Sequence, residues 1–449
     1  MVYFKVVESK TFLYVFVKKW FTWIMRYAYY RRFHIRGKKN FPKKGTPVLI
    51  VSNHQNAVMD ALAIDLSLSA RCRMVFLARS DAFKKPFIAK ILNFCKVMPI
   101  FRQRDGRDTL SGNQAIFEES AKLIGMGFPV ALFPEGRHQE GHYLIPLKKG
   151  FARIAFETAE FLGFPDDMMV VPVGNHYSDY FSLRSDVCVN FGQPVPLRDY
   201  YALYRENPAK ALHQLTEDIT PAIRALMLDI PDVPNYDTYD YLRTVVRGEI
   251  ARRQGLRYGY LPDDLQADRC FAARIAQSSP EVMAEVREKT LRYKKEVEAL
   301  KISTREVECK VHIGTFLKDF ILLLLGLPFA LYGFVFSGVP VLAGQSLSRR
   351  MAAKNKMLQS SINFVLGQLV LQGLFYLIYI ILYVTLLPGW GAGVQVSFLL
   401  TCILTRALWQ DYAHFAAGAF RRLRAVFMPR RVAALEPLRK ELCDWALDA

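Results

Sequence analysis

The sequence of 449 residues predicts an α/β domain followed by a helical membrane region. Between about residues 46 and 225, short apolar runs alternate with helical patterns, which is typical of strands alternating with helices in one sheet. Two uncharged runs, 320–343 and 361–388, are each long enough to span a bilayer, at about 20 residues per crossing. A formal net charge of +19 beside 52% hydrophobic residues favours an anionic membrane surface as a partner.

Changes in composition along the chain predict the unit boundaries. A basic aromatic segment comes first, then the α/β domain, a charged helical connector, the membrane-embedded helical region and a C-terminal tail. In that order the units are 1–45, 46–227, 228–310, 311–405 and 406–449.

Candidate strands and helices alternate within the α/β domain. The strands are 47–52, 73–78, 97–101, 129–134, 168–173 and 187–191, and the helices are 57–69, 84–95, 112–126, 149–162 and 208–227. In sheets of this kind, functional side chains are expected at the strand ends and in the loops that follow them.

The segment 1–45 is predicted to contain a helix that lies at the membrane interface. The first 50 residues hold twelve Lys or Arg and a single acid, Glu8, with aromatic side chains such as Trp20 and Trp23 among them. Aromatic rings and cations together suit the headgroup region of an anionic bilayer. The alternative is an ordinary basic helix that packs on the α/β domain.

Basic residues flank the first uncharged run on both sides. They are Lys310 and Lys318 before it, and Arg349, Arg350, Lys354 and Lys356 after it. Basic flanks prefer the cytoplasmic side of a membrane, so two of them indicate that one segment does not cross simply. Pro328 and the 338–340 break favour a re-entrant hairpin in this region.

His54 and Asp60 form the first candidate functional pair. His54 directly follows a candidate strand, and a carboxylate could hold one imidazole nitrogen while the other takes a proton. Positions six apart differ by about 600° on a helix and do not share a face. His54 is therefore expected on the loop, with Asp60 reaching back from the next helix. The alternative is an ordinary hydrogen-bonded loop histidine.

Two more clusters follow strands. Arg102, Arg104 and Arg107 come after the third candidate strand, and several arginines suit a phosphate, which guanidinium groups bind bidentately. The alternative is a solvated turn. After the fourth candidate strand come an acid, a glycine and an arginine, which can order a loop and place a cation. They are Glu135, Gly136 and Arg137, with Lys149 and Arg153 further along.

No metal site is predicted. Four possible ligands are close in sequence: Glu135, His138, Glu140 and His142. No helix is predicted there, and the spacing matches no familiar metal site. The seven cysteines also lack metal-type spacing, which fits free thiols in a reducing compartment.

Taken in order, these clusters resemble the conserved blocks of the glycerolipid acyltransferase family. The blocks are Asn53-His54 with Asp60, Ile100-Phe101-Arg102-Gln103-Arg104, Phe133-Pro134-Glu135-Gly136 with Lys149-Gly150 and Arg153, and Val171-Pro172-Val173. The resemblance covers about residues 46–200 and implies a mixed sheet flanked by helices. Five residues separate His54 from Asp60, which is similar to the fungal-type glycerol-3-phosphate acyltransferases, whereas the common pattern has four. Arg137 is displaced by one residue from the family pattern.

The resemblance implies acyl transfer from acyl-CoA or acyl-carrier protein to glycerol 3-phosphate or 1-acylglycerol 3-phosphate in phospholipid biosynthesis. It implies His54 as general base and Asp60 as the residue that orients it. The implied phosphate-binding residues are Arg104, Glu135, Gly136 and Arg137, supported by Asn53, Lys149 and Arg153. Neither metal nor organic cofactor is expected. Membrane lipids are expected partners, with the catalytic domain on the cytoplasmic side of a membrane.

Other functions stay open on the sequence. A related acyltransferase could use a lysophospholipid or an aminolipid as acceptor. A lipid-binding or transport membrane protein could use the same fold, although it would not need a base such as His54. Nucleic acid is not expected as a partner, because the basic excess lies beside aromatic and apolar segments and no nucleic-acid module is present.

Overall fold

The computed structural model describes residues 12–100, 109–139, 141–309, 311–386 and 391–448, and a sheet of eight strands lies at the centre of this described part. In chain order the strands are β1 (Arg32–Arg36), β2 (Val48–Ser52), β3 (Val75–Arg79), β4 (Val97–Ile100), β5 (Val130–Leu132), β6 (Met169–Tyr177), β7 (Asp186–Phe191) and β8 (Val195–Pro196). The candidate strands of the sequence correspond to β2 through β7, so the predicted α/β fold is confirmed.

The strand order is β1-β7-β6-β2-β5-β3-β4, and β8 pairs with β6. β2 runs parallel to β5 and β6, and β3 runs parallel to β4 and β5. β7 and β8 run antiparallel to β6, so the sheet is mixed. The carboxyl ends of β2 through β6 therefore meet at one edge, where the loops after them can form a single site.

The edge strand β1 lies within the segment 1–45, for which the sequence predicts an interfacial helix. It pairs in parallel with β7, from Arg32 opposite Asp186 to Arg36 opposite Asn190. The neighbouring Arg31 donates hydrogen bonds to both carboxylate oxygens of Asp186, each at 3.1 Å. The sheet thus begins before residue 46.

Helices cover both faces of this sheet. They are α1 (Phe12–Trp23), α2 (Val58–Ser67), α3 (Pro86–Phe94), α4 (Thr109–Gly125), α5 (Gly150–Phe161), α6 (Tyr201–Glu206) and α7 (Pro208–Arg224). Successive β2 side chains point to opposite faces. Leu49 and Val51 enter the core under α4, α5 and α7, whereas Val48 and Ile50 enter the core under α2.

α1 packs on the domain through one face only. The ammonium of Lys18 is buried, forms an ion pair with Asp65 at 2.7 Å and donates to the Cys72 carbonyl at 2.7 Å. The opposite face exposes aromatic rings, including Phe12 and Phe16. Contact of this face with a membrane interface stays a prediction.

The connector 228–310 forms the helices α8 (Tyr236–Arg253), α9 (Leu261–Gln277), α10 (Pro280–Ala299) and α11 (Thr304–Glu308). Side-chain caps fix two of their starts. Ser279 accepts a hydrogen bond from the Val282 N–H, and Ser303 forms a capping box with Glu306.

Four further helices follow: α12 (Ile313–Met351), α13 (Gln359–Ile362), α14 (Gln372–Leu386) and α15 (Ala392–Phe427). A π-helical stretch, Asn363–Leu371, joins α13 to α14. By length and composition, α12 and the segment Lys356–Leu386 could each cross a membrane. The predicted break in the first run is wrong, because α12 continues through Pro328 and Pro340.

The tail helices α16 (Pro429–Ala433) and α17 (Glu436–Leu447) return to the connector. Leu442 and Cys443 share one core with Leu242 and Val297, so connector and tail form one helical unit. Several hydrogen bonds join this unit to the α/β domain, including the following pair. The Tyr236 hydroxyl accepts from the His142 N–H at 3.0 Å, and Asp229 accepts from the Leu144 N–H at 2.8 Å.

Candidate functional site

His54 lies on the loop between β2 and α2, and Asp60 lies in the first turn of α2. His54 Nδ1 is 2.9 Å from Asp60 Oδ2. The structure therefore brings the predicted pair together in the predicted way, with the imidazole on the loop and the carboxylate reaching back. Because the carboxylate holds Nδ1, Nε2 is the nitrogen left to take a proton.

The carboxylate of Asp60 is completely buried and accepts three further hydrogen bonds. Its Oδ2 accepts from the N–H groups of Gln55 at 2.8 Å and Asn56 at 2.7 Å, and its Oδ1 accepts from the Tyr177 hydroxyl at 2.7 Å. The turn that aims both N–H groups inward ends at Ala57, whose φ of 45° is uncommon for a residue with a side chain. The loop, α2 and β6 thus converge on one carboxylate.

Replacing Tyr177 by Phe is expected to lower the free energy of unfolding by about 1–3 kcal/mol, because a buried oxygen of Asp60 loses its donor. Burial, followed by the charge of Asp60, raises the pKa of Tyr177 well above its ordinary value, so the hydroxyl stays a donor. Thermal unfolding followed by intrinsic fluorescence would measure the change.

Tyr30→Phe is the matched control for this substitution. Tyr30 is buried beside Tyr177, with ring centroids 6.2 Å apart, and its hydroxyl has no hydrogen-bond partner in the described part of the chain. Tyr30→Phe is therefore expected to leave stability nearly unchanged. Equal losses in the two variants would show that the bond to Asp60 contributes nothing.

Glu135, in the loop after β5, holds the loop that carries His54. Its Oε1 accepts from the N–H of His54 at 2.7 Å, and its Oε2 accepts from the N–H of Ile145 at 3.3 Å. Its side chain is buried. Both oxygens are thus bonded to the main chain and hold the His54 loop, and the predicted place of Glu135 in the phosphate site stays a prediction.

Glu135 should make stability depend on pH. Burial raises its pKa to about 8 from an ordinary 4.5. A raised folded-state pKa means that the stabilisation is complete below about pH 4.5 and is lost as the pH rises through about 8. The stability advantage of the wild type over Glu135→Gln should therefore shrink between about pH 5 and pH 8. Chemical denaturation across this range would measure it, and a constant difference would contradict the shift.

The imidazole of His54 is fixed by two other rings. Phe133 stacks on it with centroids 4.2 Å apart and planes at 12°. His138 stands nearly perpendicular to it, with centroids 5.4 Å apart. Burial, and next the neighbouring His54, lowers the pKa of His138, so this second imidazole is neutral near pH 7. His54 can therefore move little from its position beside Asp60.

Asn53, predicted as a supporting residue, ties two strand ends together. Its side-chain amide donates to the carbonyl of Asn175 at 2.9 Å, and its Oδ1 accepts from the Asn175 N–H at 2.7 Å. Since Asn53 directly precedes His54 and Asn175 belongs to β6, this pair fixes where the histidine loop leaves the sheet.

The predicted phosphate-binding residues lie around the same edge of the sheet. Gly136 has φ +69°, and a Cβ there would come within 3.2 Å of the Lys148 ammonium. Arg137 is exposed, as are Lys149 and Arg153 at the start of α5. Arg104 follows β4 but lies outside the described residues, and so does Arg102.

Sequence reasoning did not identify Tyr177, and it considered His138 only as a possible metal ligand, not as a neighbour of His54. Tyr177 is 117 residues from Asp60 and looks like any apolar strand residue. The parallel pairing of β2 with β6, which the sequence analysis did not predict, brings the end of β6 close to the loop after β2. No cluster of three or more His, Cys, Asp or Glu that could hold a metal ion occurs among the described residues.

Comparison with known proteins finds the Acyltransferase family over residues 32–175. A chloroplastic 1-acyl-sn-glycerol-3-phosphate acyltransferase of Brassica napus is 29% identical over 143 residues, which are 32% of this chain and 39% of the relative. The glycerol-3-phosphate O-acyltransferase 2 of Saccharomyces cerevisiae is 30% identical over 113 residues, 24% of this chain and 14% of the relative. This chain thus spans less than half the length of either relative.

A solved structure of the 1-acyl-sn-glycerophosphate acyltransferase PlsC from Thermotoga maritima is 19% identical, with a TM-score of 0.33, and the match covers 50% of this chain and 78% of that one. The human 1-acyl-sn-glycerol-3-phosphate acyltransferase beta is 26% identical over 139 residues, 31% of this chain and 47% of the relative. Residues 32–175 of this chain thus match the Acyltransferase family, and this part is similar to proteins named 1-acyl-sn-glycerol-3-phosphate acyltransferases.

Proposed function

We propose that this protein is a membrane-bound O-acyltransferase. It transfers a fatty acyl group from a thioester, acyl-CoA or acyl-carrier protein, to glycerol 3-phosphate or 1-acylglycerol 3-phosphate in phospholipid synthesis. The observation that carries the proposal is the 2.9 Å contact between His54 Nδ1 and the buried carboxylate of Asp60. The names of the plant and yeast relatives support the phosphorylated glycerol acceptors.

In the proposed reaction His54 is the general base. A glycerol hydroxyl is a weak nucleophile near neutral pH, so His54 Nε2 takes its proton as the oxygen attacks the thioester carbonyl carbon. Asp60 stabilises the imidazolium that forms. The C–S bond then breaks, and the imidazolium returns the proton to the departing thiolate. Since the thiolate is a good leaving group, no covalent enzyme intermediate, metal or organic cofactor is needed.

The acceptor phosphate is proposed to lie near Arg104 and Arg137, with Lys149 and Arg153 in support. Arginine and lysine are common phosphate ligands, and three of these four side chains are exposed beside the site loops. Gly136 contributes a turn with positive φ that a side chain would strain.

Membrane attachment is proposed through the C-terminal helices. Large apolar side chains such as Leu325, Phe329 and Leu386 are mostly exposed along α12 and α14, and a solvated surface rarely carries apolar patches of this extent. The catalytic domain is proposed to face the cytoplasm, where acyl-CoA and acyl-carrier protein are available.

An acceptor panel tests this proposal. Purified full-length protein in phospholipid nanodiscs would receive one labelled acyl-CoA with glycerol 3-phosphate, 1-acylglycerol 3-phosphate, a choline lysophospholipid or an aminolipid. We expect ester formation on a phosphorylated glycerol acceptor, and acyl-carrier protein would then replace CoA as donor. Transfer only to the lysophospholipid or the aminolipid would overturn the acceptor assignment, and binding without transfer to any acceptor would favour a lipid carrier.

A further inference from the structure

The loop 352–358, which follows α12, lies against the candidate active site. The side-chain amide of Asn355 is 3.3 Å from His138 Nε2. His138 in turn stands over His54, with ring centroids 5.4 Å apart. This loop lies more than 170 residues beyond residues 32–175 in the chain. It nevertheless contacts His138, which in turn contacts the proposed base His54.

This loop is held in place at both ends. Ala352 and Met357 are buried, whereas residues 353–356 between them are exposed. Just after the loop, the Ser360 hydroxyl donates to the Tyr180 carbonyl, and the Ser360 carbonyl accepts from the Tyr29 hydroxyl at 3.2 Å. The exposed tip is thus presented to the site in a defined position.

The exposed tip is positively charged. Lys354 and Lys356 flank Asn355, and neither forms an ion pair within the part of the chain that the structure describes. Arg137, next to His138, is also exposed and without an ion pair among those residues. Two acids of the site, Asp60 and Glu135, are buried and hydrogen-bonded to main-chain N–H groups.

Such an arrangement suits a phosphate monoester. Two ammonium groups on a short loop can bind a dianion together with the guanidinium of Arg137, which directly precedes His138 in the chain. The phosphate would then lie near His54, as it must when a hydroxyl of the same small glycerol molecule meets Nε2.

We propose that the loop 352–358 is part of the acyl-acceptor site, and that Lys354 and Lys356 bind the phosphate of the acceptor while Asn355 holds the loop against His138. This inference rests on the proposed function and adds to it a specificity element outside residues 32–175. The phosphate can belong to soluble glycerol 3-phosphate or to 1-acylglycerol 3-phosphate in the bilayer.

The test compares two double variants of the full-length protein in nanodiscs of zwitterionic lipid. Lys354→Ala/Lys356→Ala removes the proposed ligands. Arg349→Ala/Arg350→Ala removes the same charge from exposed residues at the end of α12, one to two turns earlier in the chain. We expect the lysine variant to raise KM for the phosphorylated acceptor about tenfold or more, with KM for acyl-CoA within about twofold of wild type. The arginine variant should leave both values near wild type.

Two acceptors identify the source of the phosphate. A rise for glycerol 3-phosphate would show binding of the soluble phosphate, and a rise confined to 1-acylglycerol 3-phosphate would show binding of the lipid headgroup. Either supports the inference. The inference would be overturned, and the proposed function left standing, if the two double variants raised KM equally. The same holds if an active lysine variant kept the wild-type KM values. Wild-type protein that acylates neither acceptor would overturn the proposed function and this inference with it.

Discussion

His54→Ala is expected to reduce acyl transfer by a factor of about 100 to 10,000, the usual contribution of a positioned general base. The fold should survive, since the side chain makes one hydrogen bond to Asp60 and a stacking contact with Phe133. Asp60 Oδ2 keeps its bonds to two main-chain N–H groups in the variant. The initial rate with the best acceptor, measured beside the unfolding temperature, separates the two effects.

His213→Ala is the control for this variant. His213 is an exposed histidine on α7 that pairs with Glu217 on the same helix, with 3.3 Å between Nε2 and Oε1. Its removal should change neither rate nor stability measurably. Wild-type turnover by His54→Ala would remove this residue from the mechanism, even if the protein proves to be an acyltransferase.

Asp60→Ala is expected to lower both activity and stability. The substitution removes a buried acceptor of four hydrogen bonds, from His54, Gln55, Asn56 and Tyr177. Each buried donor left without a partner costs about 1–3 kcal/mol. A total loss of roughly 3–6 kcal/mol is large against the ~5–15 kcal/mol stability of a typical domain. Denaturant unfolding of the detergent-solubilised protein would measure it.

Asp65→Ala separates stability from catalysis. Asp65 lies on the same helix and forms an ion pair with the buried Lys18 ammonium at 2.7 Å, but it does not contact His54. Its loss should also destabilise the protein, because a buried charge is left unpaired. At a temperature where both variants are folded, Asp65→Ala should keep its kcat and Asp60→Ala should not. Equal kcat values would mean that Asp60 serves the fold alone.

The sheet was largely predictable, because buried parallel strands appear in the sequence as short apolar runs. β1 was missed since its pattern, Arg-Phe-His-Ile-Arg, lies in a strongly basic stretch and sits at the edge of the sheet. The break expected within α12 failed for a different reason. Pro328 and Pro340 lack N–H donors, yet helices of this apolar kind tolerate proline where neighbouring helices pack against them, and α15 packs along α12 here.

The contact between His54 and Asp60 was predictable because the two residues lie within one loop and one helical turn. The remaining contacts of the site join distant parts of the chain. Tyr177 reaches Asp60 only through the pairing of β6 with β2, and Asn355 reaches His138 across 217 residues. The hydrogen bonds from two main-chain N–H groups to Asp60 depend on the positive φ of Ala57, a conformation that alanine rarely adopts.

The attachment of α12 has a consequence for sidedness. α12 begins just after α11, and Val307 of α11 lies in the core of the connector. α12 ends at the loop 352–358, whose Asn355 contacts His138. Connector and α/β domain are joined by direct hydrogen bonds. A flat bilayer cannot pass between two ends that belong to one body. We therefore expect both ends of α12 to lie on the same side of a membrane, where its two basic flanks would both satisfy the preference of cations for one side.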